Sequence, residues 1–254
     1  ESEKTPDGKF KLAQLVRANR ELERVCRAYR LPCVSGKDSM KNDYGVWPNK
    51  ISIPPTMLFS LFGNHADVRN TATSNFKQHG QRIYLVGNNK NELGASEVAY
   101  HLNEKNLVDG IGGHVPRLPE PERQLDIYRR LSKTIQDGLI RTAHDCSEGG
   151  LAVAVAEMCI GGRLGAIVDI DGIGEGDSFS RLWSESLGRI IVAVDAEHEM
   201  QFIEAMSDAD IHLIGMVTDT QNLIIEDGYD ELIQANVADL TKSWKEALDM
   251  TGGV

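Results

Sequence analysis

The sequence AHDCSEGGLAVAVAEM, residues 143–158, holds the transition from which the architecture can be read. It passes from the end of a strand through an acid, a hydroxyl and two glycines into an apolar, alanine-rich helix. In that order Asp145 stands where the strand stops, and the backbone N–H groups near Gly149 and Gly150 open the helix. Glycine lets a ligand approach the backbone closely, and free amides at the positive end of a helix dipole favour an anion. A carboxylate beside such a site suits Mg²⁺, which takes few protein oxygens and shares the rest with phosphate and water. A purely structural reading fits equally: Ser147 and Glu148 cap the helix and Asp145 satisfies turn amides. His144 reads as a packed or hydrogen-bonding residue rather than a base.

Strands and helices alternate irregularly on both sides of this stretch. Downstream, AIVDI at 166–170, RIIVAV at 189–194, IHLIGMV at 211–217 and NLIIE at 222–226 read as strands, with a helix over about 197–207. Upstream come a buried strand, RIYLVG at 82–87, and a helix near 94–104. DGIGGHVPRLPEPE at 109–122 then makes a long surface connection. Gln124, Tyr128, Leu131 and Ile135 mark an amphipathic helix stopped by Gly138, and LIRTAH at 139–144 is the next strand. The irregular alternation points to an α+β sandwich more than to a doubly wound nucleotide fold.

The first 63 residues read differently. Leu12, Leu15, Val16, Leu22, Val25, Cys26 and Tyr29 fall at near-helical spacing over residues 9–29. Pro32 ends that helix and starts a short strand, PCVS, and the only early partner is the apolar, strand-like ISIPPTMLFSLFG at 51–63. A helix and strand without a sheet suggest the tail of a domain whose beginning is missing. Residues 64–81, polar and rich in Asn, Thr and His, read as a linker or loop.

Two further stretches offer polar groups. In SGKDSM at 35–40, Gly36 allows a tight turn, Ser35 and Ser39 offer hydroxyls, and Lys37 is a point charge suited to phosphate, with Asp38 beside it. The stretch lacks P-loop spacing, so a surface turn and a binding loop both fit. In RLWSESLGRIIVAV at 181–194, Ser184, Glu185 and Ser186 precede a buried strand. Hydroxyls and an acid there suit a ribose or nucleotide, and a solvated turn suits the same residues.

Bulk composition narrows the classes. A chain of 254 residues, 41% hydrophobic and 26% charged, has the makeup of a globular protein. No apolar run approaches the ~18 residues of a membrane span, and the charged start ESEKTPDGKF lacks the apolar stretch of a signal peptide, so a cytoplasmic protein is expected. The net charge of −11 argues against broad nucleic-acid binding, which needs a basic face, but leaves room for a local phosphate site. Cys26, Cys33, Cys146 and Cys159 are scattered with no CxxC pair. That scatter favours buried free thiols over metal or disulfide roles.

Taken in order, SGKDSMKNDY with ISIPPTMLFSLFG, ELGASE at 92–97, AHDCSEGGLAVAVAEM, SESLGRIIV and IGMV resemble the C-terminal part of phosphoribosylformylglycinamidine synthase, from about residue 10 to about 248. That family belongs to a superfamily with aminoimidazole ribonucleotide synthetase, selenophosphate synthetase, thiamine-monophosphate kinase and a hydrogenase maturation factor. The resemblance implies an α/β/α layered C-terminal-type domain over 64–254, preceded over 1–63 by the tail of an N-terminal-type domain. It implies ATP-dependent amidation of formylglycinamide ribonucleotide in purine synthesis, with ammonia drawn from glutamine. ATP or ADP and Mg²⁺ are the implied cofactors.

By the same resemblance, the HDxS[DE]GG motif maps onto His144 to Gly150. Asp145 then becomes an Mg²⁺ ligand on a nucleotide, auxiliary rather than reacting, with Ser147, Gly149, Gly150 and Ser184 around phosphate. Ser35, Gly36, Lys37, Asp38 and Ser39 face the substrate's phosphate. The catalytic histidine and the reacting ATP belong to a first half that this sequence lacks, so the chain alone is expected to make no product. Its implied partners are the rest of the synthetase chain and a glutaminase subunit or domain, and a homodimer is among the assemblies considered. Ala95 departs from the pattern, because the family usually places a second glycine there. Two other readings remain: a different synthetase or kinase of the superfamily, and a non-catalytic interaction module.

Overall fold

The computed structural model describes residues 8–37, 43–46, 49, 51–52, 56–65, 67–104 and 113–246, so Asp38 and Ser39 lie outside the described residues. The chain divides into two compact units, Glu1–Ala66 and Asp67–Val254.

In the first unit, helix α1 spans Gly8–Tyr29, over the predicted range. The strands β1, Asp43–Tyr44, and β2, Ile51–Ser52, pair antiparallel. The expected strand at Pro32–Ser35 does not form: residues 31–37 are irregular and exposed. Among the described residues of ISIPPTMLFSLFG, only Ile51 and Ser52 join a strand, and Leu58, Leu61 and Phe62 are exposed.

The second unit carries β3 (Arg82–Val86), α2 (Glu97–Glu104), α3 (Pro121–Gln136), β4 (Ile140–Asp145), α4 (Gly150–Gly162), β5 (Gly165–Asp169), α5 (Ser178–Trp183), β6 (Ile190–Val194), α6 (Glu199–Ala205), β7 (Ile211–Thr218), β8 (Asn222–Asp227), β9 (Asp230–Asn236) and α7 (Val237–Glu246). Seven of these strands form one sheet in the order β4-β6-β3-β7-β5-β8-β9. All neighbours run antiparallel except the parallel pair β5 and β8.

Alternation along the strands builds two cores. Ile83 and Leu85 of β3 turn to one face, where Ile191, Ala193, Val168 and Ile225 meet Leu151, Val155 and Met158 of α4. Tyr84 and Val86 turn to the other, where Val192 and Val194 meet Ile127 and Leu131 of α3 and Phe202 and Met206 of α6. Burying each such side chain contributes about 1.5–3 kcal/mol, which fixes the strand register. Helix α4 is apolar nearly all round because α5 and α7 pack against it as well as the sheet. The expected α/β/α layering of an α+β fold is therefore present. Among the described residues, no helix is long and apolar enough to cross a membrane.

Candidate nucleotide cleft

Strand β4 ends at Asp145, which pairs with Ile190 of β6, and the Cys146 N–H donates to the Arg189 carbonyl at 3.0 Å. The 145–150 turn is thereby laid beside residues 185–190. Gly149 and Gly150 both adopt left-handed backbone, φ 78° and 65°. A Cβ on Gly150 would sit 2.5 Å from the Ser184 carbonyl oxygen, so only glycine lets the start of α4 come this close to the chain leading into β6.

Between these segments opens a cleft of roughly 410 Å³, lined by Pro116, Tyr128, Asp145, Cys146, Ser147, Glu148, Glu185, Leu187, Gly188, Arg189 and Ile190. The Asp145 side chain is 70% exposed at this site. The Ser147 hydroxyl donates to its Oδ2. That bond, opposed by partial burial and aided by a backbone amide and by His144, holds its pKa below the ordinary carboxylate value. His144, mostly buried, lies 3.4 Å from Asp145 Oδ1 through Nδ1 and 2.9 Å from Glu157 Oε2 through Nε2. It is a hydrogen-bonding residue, as its context in the sequence suggested. Burial pushes the neighbouring Cys146 thiol up to about 11, which leaves it protonated and inert at neutral pH.

The amides expected to receive phosphate already have partners. Gly149 N–H donates to Glu185 Oε1 at 2.9 Å, and Gly150 N–H donates to the Ser147 carbonyl at 3.0 Å. Glu185 Oε1 also accepts from Glu97 N–H, at the start of α2, at 2.8 Å. One carboxylate of the chain itself thus occupies the anion-favouring ends of two helices. A phosphate at Gly149 would have to displace it.

Ser184 does not stand as a solvated turn or as a surface ligand. It is fully buried, and its hydroxyl donates to the Lys90 carbonyl at 2.8 Å and accepts from Glu92 N–H at 3.3 Å. Ser186, equally buried, accepts from Lys90 N–H at 3.2 Å. Behind both lies Arg189, 1% exposed, whose guanidinium donates to Asn89 Oδ1 at 2.9 Å, to the Ser186 carbonyl at 3.1 Å and to the Ser184 carbonyl. Burial lowers the Arg189 pKa, while Cys146, Glu92 and Glu185 work against that shift. The ELGASE stretch is braced on this network: Glu92 is buried, and Gly94 passes so close to Gly113 that a Cβ would fall 2.6 Å from its carbonyl oxygen. Ala95, where a glycine was expected, adopts φ 60°.

Asp145, Gly149 and Gly150 share one turn beside the cleft, whereas Arg189 was not foreseen from the sequence because its apolar strand context hid it. Ser35, Gly36 and Lys37 lie exposed in the other unit. A second group able to hold a cation, Asp195, Glu197 and His198, lies past the opposite end of β6, with Asp195 Oδ1 already accepting from the Gln78 and Gln81 amides at 2.9 Å.

Comparison with known proteins bears on this geometry. The T. maritima PurL complexed with FGAR superposes with a TM-score of 0.59 at 18% identity, covering 68% of this chain and 30% of that one. The T. maritima PurL complexed with ATP gives 0.54 at 18% identity, over 68% and 28%. The structure of PurLQS from Thermotoga maritima gives 0.54 at 19%, again over 68% and 28%. The chain thus spans about three-tenths of these structures, and at such identity the likeness is one of fold. In sequence, the family described as AIR synthase related protein, C-terminal domain, matches residues 78–228. That span runs from just before β3 to the turn after β8 and takes in the whole cleft-bearing turn, so the chain belongs to the AIR synthase related family of C-terminal domains.

Proposed function

We infer that this chain is part of a phosphoribosylformylglycinamidine synthase, and that its cleft holds a magnesium nucleotide in support of the ATP-dependent amidation of formylglycinamide ribonucleotide. The observation that carries this reading is Asp145: an ionised carboxylate at the mouth of a cleft, oriented by Ser147 and His144. Family membership and the fold likeness to PurL support the same reading.

The donor set fits a hard cation. Asp145, Glu148 and Glu185 line the cleft with carboxylate oxygens, and among the described residues the one lining cation, Arg189, is turned into the protein. Such a lining repels a bare phosphate chain. Mg²⁺ supplies the charge that lets phosphate and carboxylate share the site, with Asp145 as its protein ligand and Glu148 within the same lining. Ser147 keeps Asp145 ionised and aimed, and Gly149 and Gly150 let α4 approach. Ser184 serves as a prop behind the cleft rather than as a ligand. In the other unit, the loop of Ser35, Gly36 and Lys37, continuing into Asp38 and Ser39, grips the ribonucleotide phosphate. Formyl activation belongs to the rest of the synthetase, and ammonia comes from a glutaminase subunit or domain.

Calorimetric titration with ADP, with and without Mg²⁺, tests the reading. Binding is expected only with Mg²⁺, and Asp145→Ala should weaken it by roughly 10–100-fold, the scale on which disturbed metal sites lose affinity. An ordinary aspartate is already ionised at pH 5 and Asp145 is held below that value, so affinity should persist from pH 7 to 5 and be lost only at a lower pH than an unperturbed aspartate would set. Binding without metal, or equal binding by Asp145→Ala, would remove Asp145 from the role. No binding to either protein would favour a non-catalytic interaction module.

A further inference from the structure

Two of the four cysteines leave the class of buried thiols to which their scatter assigned them. Cys33 is exposed and Cys26 half-buried, and their sulfurs lie 3.8 Å apart. The local backbone produces this approach. Helix α1 ends in a reversal in which Arg30 N–H donates to the Arg27 carbonyl and Leu31 N–H to the Cys26 carbonyl, at 3.3 and 3.0 Å. Arg30 itself is left-handed, φ 56°. This paired closure is the Schellman motif, which turns the chain back over the last helical turn. Pro32 then fixes the direction of the next residue. Cys33 is thereby returned over Cys26, seven positions earlier in sequence.

We propose that Cys26 and Cys33 form a redox-active dithiol that exchanges with small disulfides of the glutathione class. Around the two thiols, Arg24 is paired with Glu21 and Arg27 with Glu23 on the preceding turn, and Arg30 stands at the left-handed position that closes the helix. What recommends a small disulfide as the partner is access, since Cys33 is exposed and Cys26 only half-buried. The order of events follows from exposure and position. The Cys33 thiolate, open to solvent, attacks one sulfur of glutathione disulfide; the old S–S bond breaks and one glutathione thiolate leaves, leaving glutathione bound to Cys33. The Cys26 thiolate then attacks the Cys33 sulfur and releases the second glutathione. Two protein thiols are oxidised, one disulfide is reduced to two glutathione thiols, and the two protons the protein thiols lose end, by way of water, on the two glutathione sulfurs. Cys26 suits the second role. Partial burial and the neighbouring Cys33 raise its pKa, and the negative end of the helix dipole further disfavours a lone thiolate there. The sulfurs need only close from 3.8 Å to about 2.05 Å.

Oxidation would bolt Leu31–Lys37 to the last turn of α1, and with it the start of the Ser35–Lys37 loop. The site itself stands independently of what that loop binds.

The test is incubation of the full chain in a glutathione disulfide buffer, followed by intact-mass and peptide mass spectrometry. Wild type should lose the mass of two hydrogens, keep no glutathione, and yield a cross-link between the Cys26 and Cys33 peptides. Cys26→Ser should instead retain one glutathione on Cys33, and Cys33→Ser should retain little or none. Cys146 and Cys159, both buried, should remain reduced in all three proteins. The proposal is overturned if wild type keeps a stable glutathione on Cys33 as Cys26→Ser does, or if neither cysteine reacts faster than the buried pair.

Discussion

Two glycines set the two units against each other. Gly36, in the first unit, has nothing within 4 Å of where a Cβ would stand, whereas Gly150, in the second, would drive a Cβ into the Ser184 carbonyl at 2.5 Å. The same contrast runs through the side chains. Along α1 only Gly8 is buried, and Phe10, Leu12 and Val16 are exposed, while α4 buries seven of its residues in the core. An amphipathic pattern is therefore no measure of packing. It states what a helix can bury, and the rest of the structure states whether anything covers it.

Matched substitutions in the two units sharpen this contrast. The largest effect is expected at Arg189. Arg189→Met leaves the Ser184 and Ser186 carbonyls and Asn89 without their buried donor. Breaking one side of a buried polar network of this kind costs roughly 3–5 kcal/mol, a large share of a domain's stability. Arg27→Met, in α1, removes only an exposed pair with Glu23 at 2.9 Å, which is worth at most about 0.5 kcal/mol. Denaturant titration of both variants measures the gap. Equal costs would mean that Arg27 belongs to a packed interface and that the contrast between the units is false.

The glycines come next. Gly150→Ala combines a left-handed backbone with a clash against main chain, and a loss of about 3 kcal/mol is expected, whereas Gly36→Ala should stay within about 0.5 kcal/mol. Because α4 opens the cleft, Gly150→Ala should also weaken any nucleotide binding beyond its effect on stability. A well-folded Gly150→Ala protein with full binding would show that the turn has slack.

How much of this was legible follows from where the determinants lie. The strands Ile83–Val86 and Ile190–Val194 were readable because both of their faces are buried, which leaves an unbroken apolar run. Helix α3 was readable from its spacing. The SES stretch was not, since its buried partners are Lys90 and Glu92, about ninety residues away, and hydroxyls without visible partners look solvated. The glycine turn announced an anion but not its identity: Glu185 sits where a phosphate was expected. Strand β9 and helix α7 escaped notice because β9, at the sheet edge, is half polar and mostly exposed, and α7 buries only Val237 fully. The apolar run at 51–63 misled in the other direction, because a strand needs a neighbour as well as a composition.

The smallest effect asks whether the units unfold as one. Ala95 and Arg30 both hold left-handed backbone, φ 60° and 56°, and both are exposed. An L residue there carries a strain of about 1–2 kcal/mol. Glycine relieves it but loses about 0.5–1 kcal/mol to the greater freedom of the unfolded chain. Ala95→Gly should thus stabilise the second unit by roughly 0.5–1 kcal/mol, a rise of about 1–4 °C in Tm. Nothing offsets that gain, since the exposed methyl of Ala95 covers no core. Arg30→Gly should gain a similar amount, but only at the end of α1, where it appears as slower amide exchange in residues 26–31 and not in the main melting transition. If Arg30→Gly raises the main Tm as much as Ala95→Gly does, the two units unfold cooperatively, and the exposed apolar side chains of the first unit must be covered when the protein is in solution.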